Sequence, residues 1–354
     1  MICPDDIQRI IGPEGVFAKK TPGYETRQQQ IDMSLSVADA FNNGRLLLAE
    51  AGTGVGKTLA YLSPAYYLAR DGEVIIISTN TINLQNQLIR KDIPTIFDRG
   101  DVSYALVKGR NNYVCRSETD YAAGSILHDG EKLFKRFLKW VSKTETGDFE
   151  DIDFDFPYWS EVRSDMHTCR KNECPYFQSG RCFYYNMRKK AEGARLIVTN
   201  HALFFSDLAL KAAGKIRMSD KINDILPEYS CVIFDEAHHL EDVASNVFSA
   251  ELTNTSLPYI LKRLRNRKEF DLSDALLDSV SKLSDLMFAE IHTNKPDFFI
   301  EDISTPALLT SAKDLSEQLG VVIDELDDIE DKDVRSQADS FCDMLAEARI
   351  AIGN

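Results

Sequence analysis

A glycine-rich loop followed by lysine and threonine is the stretch of this sequence with the clearest chemistry. It reads Ala51-Gly52-Thr53-Gly54-Val55-Gly56-Lys57-Thr58 and follows the apolar run Leu46-Leu47-Leu48. Glycines let the backbone curl until its N–H groups point at phosphate oxygens, and a helix that begins at the loop adds the positive end of its dipole. In such a loop Lys57 reaches the β- and γ-phosphates, and the Thr58 hydroxyl is a ligand of Mg²⁺. The sequence therefore predicts a strand, a phosphate-binding loop and a helix. A glycine-rich turn without a ligand is the alternative.

An acidic pair closes another apolar run far downstream. Cys231–Phe234 is predicted to be a buried strand, and Asp235-Glu236-Ala237-His238 follows it. A phosphate-binding loop needs a second carboxylate for Mg²⁺, which Asp235 supplies, and Glu236 is placed to be the general base on the attacking water. His238 is a candidate to link the nucleotide state to a second substrate. Surface charges at a strand end are the alternative.

Polar residues also follow two other predicted strands. Glu73–Ser78 is a β-branched run that leads into Thr79 and Asn80, and Arg195–Thr199 leads into Asn200 and His201. The carboxyl ends of parallel strands form the ligand side of an open α/β sheet. Upstream, Gln28, Gln29 and Gln30 lie in a helix predicted to begin near Thr26, where a side-chain amide can read an adenine edge. A solvated helix face is the alternative for this run.

Four of the seven cysteines lie in a segment that interrupts the alternation of strands and helices. Cys115, Cys169, Cys174 and Cys182 have the spacing C-x53-C-x4-C-x7-C, which lacks the two close pairs of a zinc ribbon. Four thiolates also hold iron–sulfur clusters. The spacing leaves iron–sulfur and zinc equally open, with buried free thiols as a third reading. Aromatic and basic residues between 158 and 190 suit single-stranded nucleic acid, or the packing of a small subdomain.

Length and composition describe a globular protein with more than one domain. The chain has 354 residues, of which 44% are hydrophobic and 27% charged. No apolar stretch is long enough to span a membrane and no secretory signal opens the chain, so we expect a cytoplasmic location. The net charge of −15 arises mainly in residues 241–354, which hold 24 acidic and 11 basic residues. The overall sign therefore does not exclude nucleic acid as a partner. The same region shows apolar residues at helical spacing and is predicted to be all-helical.

Taken in chain order, these segments resemble the XPD/DinG group of iron–sulfur superfamily 2 helicases, and the DinG branch most closely. The resemblance covers roughly residues 20–245. It is carried by AGTGVGKT, STNTINLQNQL, KGRNNYVCR, the four cysteines, VTNHALF and DEAH. Ala51 in place of a first glycine is common in loops of the helicase type.

The resemblance implies a fold and a set of roles. The fold class is α/β, with a RecA-like ATP-binding domain at residues 1–109 and 191–244, an iron–sulfur insertion at 110–190 and a helical arch-like domain at 245–354. Arg27 and Gln30 match the adenine-side motif R-x-x-Q-x-x-M. The cysteines Cys115, Cys169, Cys174 and Cys182 ligate a 4Fe–4S cluster. Thr79, Asn80, Asn200 and His201 lie along the translocated strand.

The resemblance also implies a function for a part of a longer motor. The family has two RecA-like domains, and we find no late motifs, arginine-finger segment or second sheet in these residues. We expect an ATP-dependent DNA helicase that moves 5′→3′ on single-stranded DNA, including forked or R-loop DNA, present as a monomeric N-terminal part. Such a chain binds nucleotide weakly and hydrolyses it poorly on its own. Two alternatives remain: a redox-sensing iron–sulfur module that binds nucleic acid and has a vestigial motor, and a zinc-bound P-loop NTPase.

Overall fold

The computed structural model describes residues 1–52, 54–97, 100–126, 131–166, 168–212, 225–249, 252–291, 305–330 and 332–353. The chain divides into two compact units. The first comprises Met1–Ser164 and Cys174–Phe248, and the second comprises Asp165–Glu173 and Ser249–Asn354. The boundary after Phe248 lies near the predicted one at 244, and the domain assignment itself stays a prediction.

A parallel sheet of four strands forms the centre of the first unit. The strands are β1 (Ile75–Thr79), β2 (Tyr104–Leu106), β3 (Leu196–Asn200) and β4 (Cys231–Phe234), in the order β2-β3-β1-β4. β1 is buried along its whole length, as expected for a β-branched run in a sheet covered on both faces. The predicted α/β fold with a parallel sheet and a helical remainder is confirmed.

Helices cover both faces of this sheet. Side chains that alternate along β1 enter two different cores, because successive residues of a strand point to opposite faces. Ile75 and Ile77 pack with the helices before and after the glycine-rich loop, whereas Ile76 packs with helices from the later part of the unit. The helices of the first unit are α1 (Pro4–Ile11), α2 (Val16–Lys20), α3 (Gln28–Asn43), α4 (Lys57–Arg70), α5 (Ile82–Gln87), α6 (Ile93–Ile96), α7 (Arg116–Ile126), α8 (Glu131–Lys143), α9 (Trp159–Val162), α10 (Pro175–Gln178), α11 (Phe183–Glu192), α12 (His201–Ala212) and α13 (Leu240–Phe248).

The segment that interrupts the sheet has a small aromatic core of its own. The rings of Phe137 and Phe156 stack with centroids 4.1 Å apart, and Phe134 and Phe183 join them. Aromatic side chains dominate the energetics of such small cores because each one buries a large area. At least some of the aromatic residues in this segment therefore pack a subdomain.

Every described element of the second unit apart from one-turn segments is an α-helix. The helices are α14 (Ser256–Arg265), α15 (Asp274–Ala289), α16 (Pro306–Asp327) and α17 (Lys332–Gly353). The hydroxyls of Ser273 and Thr305 accept hydrogen bonds from the first turns of α15 and α16, and Pro306 at the start of α16 has no N–H to satisfy. Leu261, Leu277, Leu319 and Phe341 contribute to one shared core. Within the described residues, no helix has the length and apolar character needed to cross a membrane.

One predicted element is not formed. The run before the glycine-rich loop was expected to be a strand, yet residues 45–50 have no regular secondary structure, and Leu46 and Leu48 are 101% and 91% exposed. A strand requires a hydrogen-bonded neighbour, and none of the four described strands pairs with this run. Its apolar composition indicated a buried strand, but composition does not supply a partner.

Candidate nucleotide-binding site

The glycine-rich loop turns through left-handed backbone and leads directly into α4. Gly54 has φ +81° and Gly56 has φ +89°, values that glycine adopts without a steric cost. Gly56 is the N-cap of α4, so Lys57 and Thr58 are the first two residues of that helix. Helix N-termini present unpaired N–H groups and a positive dipole end, which favour phosphate. Thr53, predicted to be part of the cradle, lies outside the described residues.

The structure brings Lys57 to the acidic pair. The Nζ atom of Lys57 is 3.6 Å from Oε1 of Glu236, and both side chains are about one third exposed, at 31% and 34%. These residues are far apart in sequence and meet because α4 begins, and β4 ends, at the ligand edge of the sheet. Because the pair is open to solvent, Lys57 can exchange the carboxylate of Glu236 for an incoming phosphate.

Three hydrogen bonds fix Asp235. Its N–H donates to the carbonyl of Ser78 at 2.9 Å and continues the β1–β4 ladder. Its Oδ1 accepts from the N–H of Glu236 at 3.1 Å, and its Oδ2 accepts from the hydroxyl of Tyr61 at 3.0 Å. Burial raises the pKa of Asp235, and the hydrogen bond from Tyr61 and the charge of Lys57 oppose that rise. The carboxylate is thus oriented by the protein.

Glu236 has a backbone conformation that is unusual for its residue type. Its φ is +58°, in the left-handed region, which costs a non-glycine residue about 1–2 kcal/mol. Residues held in this way are concentrated at functional sites. Oε2 of Glu236 lies 3.5 Å from Nδ1 of His238, whose side chain is 65% exposed. The four predicted catalytic residues are therefore neighbours, and their chemical roles stay predictions.

Gln30 holds the glycine-rich loop. Its side chain is 2% exposed; Nε2 donates to the carbonyl of Gly56 at 2.9 Å, and Oε1 accepts from the hydroxyl of Tyr24 at 2.7 Å. The amide therefore has partners within the protein on both sides. Arg27 is exposed and is the N-cap of α3. A contact of Arg27 or Gln30 with adenine stays a prediction.

A cavity of about 520 Å³ opens beside the loop. Its walls include Gln29 and Met33 from α3, Leu48 before the loop, and Gly52 and Val55 within it. Sequence reasoning included Gln29 and the motif that ends at Met33, but it missed Asp32 and Ser36 on the same face of α3. The helical spacing of Gln29, Asp32, Met33 and Ser36 was the available signal, because residues separated by three, four or seven positions share a face.

The polar residues at the ends of β1 and β3 are paired neighbours. Thr79 lies opposite Asn200 in the parallel register, and Oδ1 of Asn200 accepts from the N–H of Leu203 at 2.8 Å at the start of α12. Ser78 Oγ and Nδ1 of His201 are hydrogen-bonded at 2.7 Å, and burial lowers the pKa of His201. Thr79 and His201 are fully buried, whereas Asn80 and Asn200 are partly exposed. Their contact with DNA stays a prediction.

Three of the four predicted cysteine ligands belong to the first unit. Cys115 directly precedes α7, Cys174 is the N-cap of α10 and Cys182 is the N-cap of α11, whereas Cys169 belongs to the second unit. Burial raises the pKa of Cys115 to about 12, and the charge of Cys182 is a smaller cause of the same rise. All seven cysteines lie among the described residues, and none of them forms a disulfide bond. Among the residues described, no group of three or more His, Cys, Asp or Glu side chains is placed to hold a metal ion.

Fold and site together define an α/β domain of the P-loop class. The DEAD_2 family description matches residues 164–257. The chain is 35% identical over 278 residues to the ATP-dependent DNA helicase YoaA of Haemophilus influenzae, covering 76% of this chain and 42% of that protein. It is 34% identical over 268 residues to the ATP-dependent helicase DinG of Mycobacterium tuberculosis, covering 68% and 38%. Over the matched region, this chain is similar in sequence to helicases of the DinG and YoaA type.

These relatives are longer than the region they share with this chain. The match to the YoaA helicase of Escherichia coli, 36% identical over 276 residues, covers 74% of this chain and 41% of that protein. The chain thus spans about two fifths of the length of the relatives that it matches. A solved structure titled "Truncated XPD" overlaps 88% of this chain and 81% of its own, with a TM-score of 0.40 and 15% sequence identity.

Proposed function

We propose that this chain is the ATP-binding part of an ATP-dependent DNA helicase of DinG type. The observation that carries the proposal is the meeting of Lys57, Asp235 and Glu236 at the carboxyl edge of the parallel sheet, beside a left-handed glycine loop. The names of the relatives supply the substrate class: ATP and DNA. The proposed motor moves in the 5′→3′ direction on single-stranded, forked or R-loop DNA. It acts as a monomer in the cytoplasm.

Each residue of the site has a distinct part in hydrolysis. Lys57 leaves Glu236 and binds the β- and γ-phosphates, which lie against the N–H groups at the start of α4. Thr58 and Asp235 would hold Mg²⁺, and their hydroxyl and carboxylate oxygens are the donors that this ion prefers. When bound, the ion supplies neutralisation of phosphate charge. Glu236, released from the lysine, accepts the proton of the attacking water.

The adenine base of ATP and the DNA strand would bind on either side of the phosphate-binding centre. Arg27 and Gln30 are assigned to the adenine side, where Gln30 also contacts the phosphate loop. Thr79, Asn80, Asn200 and His201 are assigned to the DNA strand, since they share the end of β1 and β3. A buried Ser78–His201 hydrogen bond at this end of the sheet, near Asp235, offers a route by which the two ligands affect each other.

The four cysteines are assigned to a 4Fe–4S cluster. Thiolates are the ligands of such clusters, and Cys115, Cys174 and Cys182 each lie at the N-terminus of a helix. Four cysteines supply the type of donor that the implied cluster takes, although no three metal-ligating side chains are gathered in one place among the described residues.

Nucleotide binding tests the proposal directly. A fluorescent ATP analogue titrated against the 354-residue chain should bind in the presence of Mg²⁺. Lys57→Ala should abolish binding because the phosphates lose their cation, whereas Glu236→Gln should retain it because only the proton acceptor is removed. In the complete protein both variants should abolish turnover. Lys135→Ala removes an exposed lysine from a surface pair with Glu131 and serves as the matched control.

Two results would contradict the assignment. Binding that survives Lys57→Ala would show that the glycine-rich loop is not the phosphate site. Loss of binding in Glu236→Gln with an unchanged melting temperature would show that Glu236 does more than accept a proton.

A further inference from the structure

A buried tyrosine touches the acidic side of the site, and no motif assigns it a role. Tyr61 lies in α4, one helical turn after Thr58, so the two side chains share a face of that helix. It is 3% exposed, and its hydroxyl donates to Oδ2 of Asp235 at 3.0 Å. The contact spans 174 positions of sequence.

The same phenol is also close to Thr58. Burial raises the pKa of Tyr61 well above its usual range, and the charge of Asp235 raises it further, whereas the Thr58 side chain acts in the opposite direction. The phenolic oxygen thus donates to Asp235 and lies on the same helix face as Thr58, and these are the two residues assigned to Mg²⁺. One of them is on α4 and the other follows β4.

The other carboxylate oxygen of Asp235, Oδ1, also accepts a hydrogen bond from the protein. Oδ1 accepts from the N–H of Glu236 at 3.1 Å, so both carboxylate oxygens are oriented by the protein. Each carboxylate oxygen can accept two partners, so both oxygens keep a free lone pair for a further ligand. Residues that orient metal ligands in this way typically change metal affinity by about 10–100-fold when they are removed.

We propose that Tyr61 is a positioning residue that holds the Asp235 carboxylate in register with the Thr58 hydroxyl of its own helix for a divalent cation. The inference rests on the proposed function, because it takes Thr58 and Asp235 as the Mg²⁺ ligands. Tyr61 itself contacts neither nucleotide nor metal. Its phenol supplies the fixed link between α4 and the residue after β4.

The experiment separates positioning from packing. Tyr61→Phe keeps the ring and removes only the hydroxyl. The affinity of the full 354-residue chain for a fluorescent ATP analogue is measured with Mg²⁺ and with EDTA. The ratio of the two affinities should fall about tenfold in the variant, while the affinity in EDTA stays at the wild-type value. A merely structural role would lower both affinities together and leave the ratio unchanged.

Tyr66→Phe is the matched control. Tyr66 lies on the same helix, is 6% exposed, and donates to Oδ2 of Asp101 at 2.6 Å. This variant removes an equivalent phenol–carboxylate hydrogen bond away from the site and should keep the wild-type ratio. In an Asp235→Asn background Tyr61→Phe should have no further effect on the ratio, because the two residues act as a unit.

The outcomes are distinct. An unchanged ratio in Tyr61→Phe, or an equal fall in Tyr66→Phe, overturns the inference and leaves the proposed function intact. Full additivity with Asp235→Asn also overturns it. No nucleotide binding by the wild-type chain overturns the proposed function, and the inference falls with it.

Discussion

At the scale of single residues, the glycine-rich loop is shaped by two different constraints. Gly54 and Gly56 both have left-handed φ values, but only Gly56 is also crowded. Apart from its chain neighbours, a Cβ atom on Gly54 would have no heavy atom of the described residues within 4 Å, whereas a Cβ on Gly56 would lie 2.1 Å from Nε2 of Gln30. Gln30 is buried and accepts a hydrogen bond from Tyr24, so displacing its amide would disturb that bond as well as its own bond to Gly56. A side chain at Gly54 would therefore cause backbone strain alone, whereas a side chain at Gly56 would cause both strain and a steric clash.

Alanine substitutions at Gly54 and Gly56 measure the cost of backbone strain and the cost of the steric clash. Gly54→Ala should cost about 1 kcal/mol of unfolding free energy from backbone strain, partly offset by the reduced freedom of the unfolded chain. Gly56→Ala should cost about 3 kcal/mol because the clash with Gln30 is added. Denaturant unfolding without nucleotide measures both variants. In a Gln30→Ala background the difference between them should vanish, and a difference that persists would assign the extra cost to something other than Gln30.

Residues that follow a general rule were predictable from the sequence, and residues that depend on one distant partner were not. The meeting of Lys57 with Asp235 and Glu236 follows from the rule that ligands bind at the carboxyl ends of parallel strands. The burial of Gln30 against Gly56 and the hydrogen bond from Tyr61 to Asp235 follow from no local pattern. Tyr61 reads as an ordinary apolar-face residue of α4, because its partner is set by the packing of α4 against the end of β4.

At the scale of elements, a buried ion cluster attaches the cysteine-bearing segment to the sheet. Lys108 follows β2, is 2% exposed, and pairs with Asp148 at 2.5 Å and Glu150 at 3.2 Å. Glu150 also accepts from Asn86 of α5, and Asp151 pairs with Arg90 at 2.9 Å. The turn at 148–151 is therefore fixed both to the strand before it and to the helical segment that follows Thr79 and Asn80.

Loss of the buried lysine should be costly. Lys108→Met leaves Asp148 buried without its cation, and breaking such a pair by removing one partner costs about 3–5 kcal/mol. Denaturant unfolding at neutral pH measures the loss. Lys108→Met combined with Asp148→Asn should recover part of it, because the stranded charge is removed. Lys135→Ala, which breaks an exposed pair with Glu131, should cost less than about 0.5 kcal/mol.

The stability deficit of the Lys108→Met variant should depend on pH. Burial raises the pKa of Asp148 and Lys108 opposes the rise, so removing Lys108 raises that pKa further. A carboxyl whose pKa is higher in the folded than in the unfolded state stabilises the fold at low pH and loses that contribution as pH rises. The deficit of Lys108→Met should therefore be smaller at about pH 4 than at neutral pH. A deficit that is constant across this range would show that the lost packing of the lysine stem, and not its charge, is responsible.

The strand bounds show which elements the sequence could specify. CVIF at 231–234 is a strand as predicted, and the runs at 73–78 and 195–199 are strands within two residues of their predicted ends. Each of these runs has a neighbour in the sheet. Leu46–Leu48 is also apolar but has no described strand paired with it, and it has no regular secondary structure and is exposed. Strand propensity describes how well a segment fits a sheet, and a strand forms only where a neighbouring strand is available to pair with it.

At the scale of the whole chain, charge and cysteine content are distributed unevenly. The acidic excess of residues 241–354 falls almost entirely in the helical second unit, while residues 161–190 hold seven basic and three acidic residues. Electrostatic attraction of a DNA backbone therefore depends on local patches and not on the net charge of −15. Of the predicted cluster ligands, Cys115, Cys174 and Cys182 belong to the first unit and Cys169 belongs to the second.

Metal analysis of the full chain after anaerobic purification decides between the readings that the cysteine spacing left open. Four thiolate ligands predict about four irons and four acid-labile sulfides per chain, with visible absorption. Cys174→Ser should lose the colour and the sulfide. Cys342→Ser, which removes a half-buried thiol from α17 of the second unit, should retain both and is the matched control. Stoichiometric zinc without sulfide would instead favour a zinc-bound P-loop NTPase. Loss of sulfide in both variants would contradict the assignment of Cys174 as a ligand, since removal of either thiol would then act through the fold.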